Sequence, residues 1–134
     1  MTGSLVYVDS SAIVKLVVRE PESSALFEWL GVWPERISSE IARVEVLRAL
    51  RRSGAAEYKR RRAVHVLDRI ALVNVDRPVL DAASELGPPN LRSLDAIHLA
   101  TALSVRSDLA GLVTYDTRLT AAATRSRIEV WAPA

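Results

Sequence analysis

Four carboxylates carry the chemistry open to this sequence. Asp9 follows the apolar run Leu5-Val6-Tyr7-Val8, and Asp116 follows Gly111–Tyr115. Asp95 opens the apolar stretch Leu94–Val105, and Glu45 lies inside Glu40–Arg52. Each has an ordinary alternative. Asp9 equally reads as the N-cap of a following helix, Asp95 as a complement to a helix N-terminus, and Asp116 as a turn initiator. Glu45 is harder to explain away. Ile41 and Ala42 one turn before it and Ala49 one turn after place it at the edge of a buried face. An acid there must be paired, hydrated or bound to a cation. Should the four acids converge, their repulsion raises some pKa values unless a cation joins them. Oxygen ligands without His or Cys suit Mg²⁺, or Mn²⁺ in its place, rather than zinc. Such an ion activates water and neutralises charge during displacement at a phosphodiester. The residues leave open whether one ion or two bind.

Other chemistries fit poorly. No Gly-rich loop ends in Gly-Lys-Ser/Thr, and the five glycines form no dinucleotide fingerprint. Ser10 and Ser11 follow Asp9, so the second acid of an aspartyl-phosphate phosphatase is missing, as are the paired acids and lysine of a phospho-acceptor receiver. The chain has no cysteine, which removes disulfides, thiol nucleophiles and thiolate metal sites. His65 and His98 lie in helical patterns without a partnered serine triad and read as structural residues.

The acids need elements to position them. Short apolar runs at Leu5–Val8, Arg36–Ser38, Ile70–Val75, Gly111–Tyr115 and Ile128–Trp131 read as strands. Between them, helical patterns cover Ala12–Val18, Ser24–Leu30, Glu40–Arg52, Glu57–Arg69, Pro78–Leu86, Leu94–Val105 and Leu119–Arg125. Strands alternating with helices imply crossover connections and a mainly parallel sheet covered on both faces. In such sheets ligands bind beyond the carboxyl ends of the strands, where strand order reverses. Asp9 and Asp116 both follow strands.

At 134 residues, 49% hydrophobic and 25% charged, the chain reads as one α/β domain over 1–134. Its longest apolar runs are about half of a bilayer span, and Met1–Leu5 lacks a basic leader. A cytoplasmic protein without membrane contact is expected. Of the 18 basic residues 16 are arginine, and Arg48, Arg51, Arg52, Lys59, Arg60, Arg61 and Arg62 crowd one stretch. Such a run is usually a solvated helix face, but arginine also suits bidentate phosphate contact.

Four segments together resemble the motifs of PIN-domain nucleases, and more narrowly the VapC toxins of toxin–antitoxin pairs. They are Val6–Ala12, Arg43-Val44-Glu45-Val46, Leu91–Ala100 and Thr114–Leu119. The segment around Asp95 is the most specific. The resemblance implies a three-layer α/β/α sandwich with a five-stranded parallel sheet in order 3-2-1-4-5. It implies a metal-dependent endoribonuclease that forms a homodimer and is inhibited by a small VapB-type antitoxin. Carried over by motif, Asp9, Glu45, Asp95 and Asp116 are the catalytic acids. Asp9, Asp95 and Asp116 hold the metal, with Ser10 and Thr114 as supporting polar groups. Arg48, Arg51 and Arg52 are candidates for RNA phosphates, and transfer or ribosomal RNA is the implied substrate. Some relatives carry a further acid beyond the Asp116 position, where this chain has Leu119 and Thr120. The rival readings are a catalytically silent PIN-like module that binds RNA or protein, and a PIN nuclease of RNA maturation rather than a toxin.

Overall fold

The computed structural model describes residues 3–134. Met1 and Thr2, which begin the expected domain and the N-terminal stretch read above, lie outside the described residues. In chain order the elements are β1 (Leu5–Val8), α1 (Ser10–Val17), α2 (Ser23–Leu30), β2 (Arg36–Ser39), α3 (Ile41–Arg52) and α4 (Glu57–Asp68). They continue with β3 (Ala71–Val73), α5 (Arg77–Glu85), α6 (Ser93–Ser104), β4 (Leu109–Val113), α7 (Thr117–Arg125) and β5 (Val130–Trp131). All pairings are parallel, and the strand order is β3-β2-β1-β4-β5, as expected. Among the described residues no helix is long and apolar enough to cross a membrane.

Period-two alternation along β1 builds the two faces. Val6 and Val8 pack with Ile13, Leu26, Leu30, Val46 and Leu67 under α1–α4, whereas Tyr7 packs with Leu99, Leu112 and Leu119 under α6 and α7. Residues of α5 pack against α6 in a smaller cluster through Val79, Ala83, Ala96 and Ala100. In β4 the alternation is broken. Leu5 pairs with Leu109 but Val6 with Gly111, so Ala110 is an inserted residue. β4 therefore spans Leu109–Val113 rather than the expected Gly111–Tyr115, and its pairing with β1 continues across this bulge. A side chain on Gly111 would run into the Trp131 ring. Trp131 itself stacks against Trp29 and Trp33, with ring centroids 5.1 and 5.7 Å away, so these tryptophans serve packing.

The topology prepares the site. The chain moves from β1 outward to β2 and β3, then crosses back so that β4 lies on the other side of β1. Strand order therefore reverses between the carboxyl ends of β1 and β4, where Asp9 and Thr114–Asp116 emerge. β2 runs one residue further than expected, through Ser39, whose hydroxyl accepts from the Ile41 N–H at 3.2 Å at the start of α3.

Candidate active site

Asp9 is set by the strand-to-helix turn it makes. It caps α1 from an extended backbone, φ −79° and ψ 175°. Its Oδ1 accepts from the Ala12 N–H at 3.1 Å and the Ser11 hydroxyl at 2.7 Å, and its Oδ2 accepts from the Thr114 hydroxyl at 2.6 Å. Thr114 Oγ1 also accepts the Asp116 N–H at 3.0 Å, and Ser11 Oγ the Tyr115 N–H at 3.0 Å. Two hydroxyls thus join the ends of β1 and β4. The N-cap reading of Asp9 is therefore correct, and the same turn places its carboxyl at the switch point. Asp9 is only 4% exposed. Burial pushes its carboxyl above the usual aspartate range, and the Thr114 hydrogen bond offsets this only in part.

Glu45 reaches the same cleft from α3. Its Oε1 accepts from the Ser10 hydroxyl at 2.6 Å and from His98 Nε2 at 2.6 Å. With Nε2–H donating to the carboxylate, His98 Nδ1 is left to accept from the Tyr7 hydroxyl, also at 2.6 Å. Tyr7 is fully buried, and that burial raises its pKa well above normal, which keeps the hydroxyl protonated as a donor. Burial also acts to raise Glu45, but the His98 hydrogen bond, with help from Ser10 and Arg92, outweighs it and holds the carboxyl below its ordinary range. His98 therefore does more than fill the core. The sequence shows it only as an unpartnered histidine, because its partner Glu45 is 53 residues away.

Asp95 and Asp116 stand at the other side. Asp95 lies in the first turn of α6, and Asp116 caps α7, its Oδ1 accepting the Arg118 and Leu119 N–H groups at 2.8 and 3.1 Å. Arg92 joins the two acids. Its Nε is 3.2 Å from Asp95 Oδ2, and its Nη2 is 3.1 Å from Asp116 Oδ2. Burial, then the negative charge of Asp116, raises Asp95 above its usual range, and Arg92 counters part of that rise.

All four acids, together with Ser10, line one cleft of about 380 Å³. Thr114 sits fully buried behind Asp9 rather than on its wall. Arg52 lines the cleft, whereas Arg48 and Arg51 line a separate groove with Arg43 and Arg60. The expected arginine triad is therefore split between two surfaces. Ser11, Arg92 and His98 join the site as residues that sequence reasoning did not place there. A hard divalent cation suits the chemistry of these acids: they offer carboxylate oxygens, and burial raises Asp9 and Asp95. Among the described residues, however, no three Asp, Glu or His side chains are gathered closely enough to chelate one ion. Asp95 and Asp116 are instead held by Arg92.

Comparison with known proteins identifies the family. Residues 6–124 match the PIN domain family. The chain is 52% identical over 129 residues to Ribonuclease VapC46 of Mycobacterium tuberculosis, covering 96% of this chain and 97% of that one. Among solved structures, a toxin–antitoxin complex from Klebsiella pneumoniae is similar with TM-score 0.64 and 23% identity, covering 84% of this chain and 87% of that chain. The sarcin–ricin loop cleaving toxin VapC20 of M. tuberculosis superposes with TM-score 0.72 at 18% identity, over 87% of this chain and 94% of the other. At these identities the two structures speak to the fold. The family rests on the domain match and the sequence relative. The chain belongs to the VapC family of PIN-domain ribonucleases.

Proposed function

We propose that this chain is a Mg²⁺- or Mn²⁺-dependent endoribonuclease and the toxin of a toxin–antitoxin pair. Its substrate is structured RNA, of the transfer or ribosomal kind. The observation that carries this reading is the convergence of Asp9, Glu45, Asp95 and Asp116 on one cleft at the switch point, with Glu45 held by His98 and Ser10, Asp9 raised by burial, and Asp95 raised by burial and by the charge of Asp116. The ribonuclease name of the 52%-identical relative supports the activity, and membership of the VapC family supports the toxin role.

Asp9, Asp95 and Asp116 would hold the cation. When bound, it supplies charge that neutralises the phosphodiester oxygens and makes nearby water more acidic. Asp9 is fixed on both oxygens by Ser11, Ala12 and Thr114, so its position survives substrate entry. Glu45 accepts a proton from water as that water attacks phosphorus in line, and His98 and Ser10 keep the carboxylate aimed. As the new P–O bond forms, the P–O3′ bond breaks and the departing 3′-oxygen takes a proton from solvent, which leaves a 5′-phosphate and a 3′-hydroxyl. Arg52 at the cleft wall holds a flanking phosphate without reading bases. A small VapB-type antitoxin, a homodimeric state and action in the cytoplasm complete the proposal.

The test is digestion of total cellular RNA by the purified chain with Mg²⁺, with Mn²⁺ and with EDTA, followed by mapping of new 5′ ends. A few discrete, metal-dependent cuts bearing 5′-phosphates are expected. RNA binding without cutting under any metal would favour the silent module instead. Growth arrest on expression, relieved by an adjacent small partner, is expected for a toxin. Harmless expression of an active nuclease would point to RNA maturation.

A further inference from the structure

We propose that Arg92 is a resident counter-ion of the cleft, competing with the divalent cation for Asp95 and Asp116 and moving onto an RNA phosphate when the cation binds. The inference rests on the metal-dependent reading above. One guanidinium spans two acids from different elements, Nε to Asp95 at 3.2 Å and Nη2 to Asp116 at 3.1 Å. The three partners differ in freedom. The Arg92 side chain is 57% exposed, against 12% for Asp95 and 26% for Asp116. Asp116 is tied down by two backbone N–H groups, and Asp95 is built into the first turn of α6. Arg92 precedes α6 without making a side-chain cap, so its departure leaves the helix end intact. The arginine is thus the mobile member.

Charge sets the direction of exchange. One positive charge shared by two carboxylates leaves the pair net negative, and a divalent cation neutralises both. An ion pair whose cation is largely exposed is weak and easily exchanged. The released guanidinium stays at the cleft rim, where its planar fork matches a phosphate as well as a carboxylate. Competition for shared ligands is reciprocal, so whatever weakens the hold of Arg92 must tighten that of the cation.

Two measurements on purified protein test this, with circular dichroism confirming the fold of each variant. Calorimetric titration of Mn²⁺ into the wild type, Arg92→Ala and Arg92→Lys should show Arg92→Ala binding the ion about tenfold more tightly. Arg92→Lys keeps the charge but loses the fork, and should stay nearer the wild type. In a Glu45→Gln background, which suppresses cutting, anisotropy of a fluorescent single-stranded RNA should show Arg92→Ala binding several-fold more weakly with Mn²⁺ and equally well in EDTA. Unchanged or weaker Mn²⁺ binding by Arg92→Ala overturns the competition. An RNA defect of equal size with and without Mn²⁺ overturns the displacement. If Mn²⁺ binds neither the wild type nor the variant, the metal-dependent reading falls and this inference with it. If it binds the wild type but no more tightly to the variant, only this inference falls.

Discussion

Asp9 and Glu45 are carboxylates in one cleft, yet their surroundings drive them in opposite directions. Asp9 is raised by burial, and Glu45 is lowered because His98 and Ser10 donate to it. Environments that push paired acids apart divide their roles. Asp9 has a folded-state pKa above its unfolded value, so the native state binds its proton more tightly. Stability from this group is therefore lost as pH rises from the ordinary aspartate range through the raised value. Asp9→Asn should accordingly abolish cleavage while leaving the melting temperature equal to or above that of the wild type. Thermal denaturation at neutral pH would show it. Glu45 follows the opposite sign: its contribution is present above the ordinary glutamate range and is lost as pH falls through the lowered value. His98→Ala strips Glu45 of a donor and orphans the buried Tyr7 hydroxyl. The acid limb of its pH–rate profile should move to higher pH, and cleavage should slow by about 10- to 100-fold. Unfolding should cost about 1–3 kcal/mol less.

The turns that follow β1 and β4 hold the site together at the scale of the elements. Thr114 is fully buried, donates to Asp9 and accepts from the Asp116 backbone, so one hydroxyl fixes two acids. Thr114→Val keeps the shape and removes both bonds. It should destabilise the chain by about 1–3 kcal/mol in urea unfolding, with Thr114→Ser close to the wild type. Gly111→Ala would drive a methyl group into Trp131, an overpacking cost of about 1–3 kcal/mol in the same assay. The sequence was informative about these elements where period and punctuation agree. The apolar run to Asp9 and the order of strands and helices were both legible. The bulge at Ala110 was not, because an inserted residue is defined by the partner strand and leaves no local signal. The Tyr7–His98–Glu45 chain was hidden for the same reason: its members meet only when β1, α3 and α6 pack. Arg92 read as an ordinary residue before a helix until the fold brought Asp116 to it.

Across the whole molecule, charge is divided between two surfaces. The chain carries a net charge of only +2, but 16 arginines give it local basic faces. Arg52 faces the acids, and Arg48 and Arg51 face a groove shared with Arg43 and Arg60. RNA bound across the cleft should therefore depend on Arg52. Arg52→Ala should weaken binding for all sequences alike and reduce the slope of log affinity against log salt by about one. Arg48→Ala and Arg51→Ala should change that slope less, as salt-dependent anisotropy with one RNA would show. On the proposed ribonuclease reading the acids brought from β1, α3, α6 and the β4 turn act as one cutting centre. The most direct test is the single-turnover rate on one mapped RNA for the wild type, Asp9→Asn, Glu45→Gln and the double variant, each confirmed as folded. Each single change should remove at least about 100-fold of the rate, and the double change little more, because residues acting as a unit are not additive. A folded Asp9→Asn or Glu45→Gln protein that cuts at the wild-type rate would contradict the assignment.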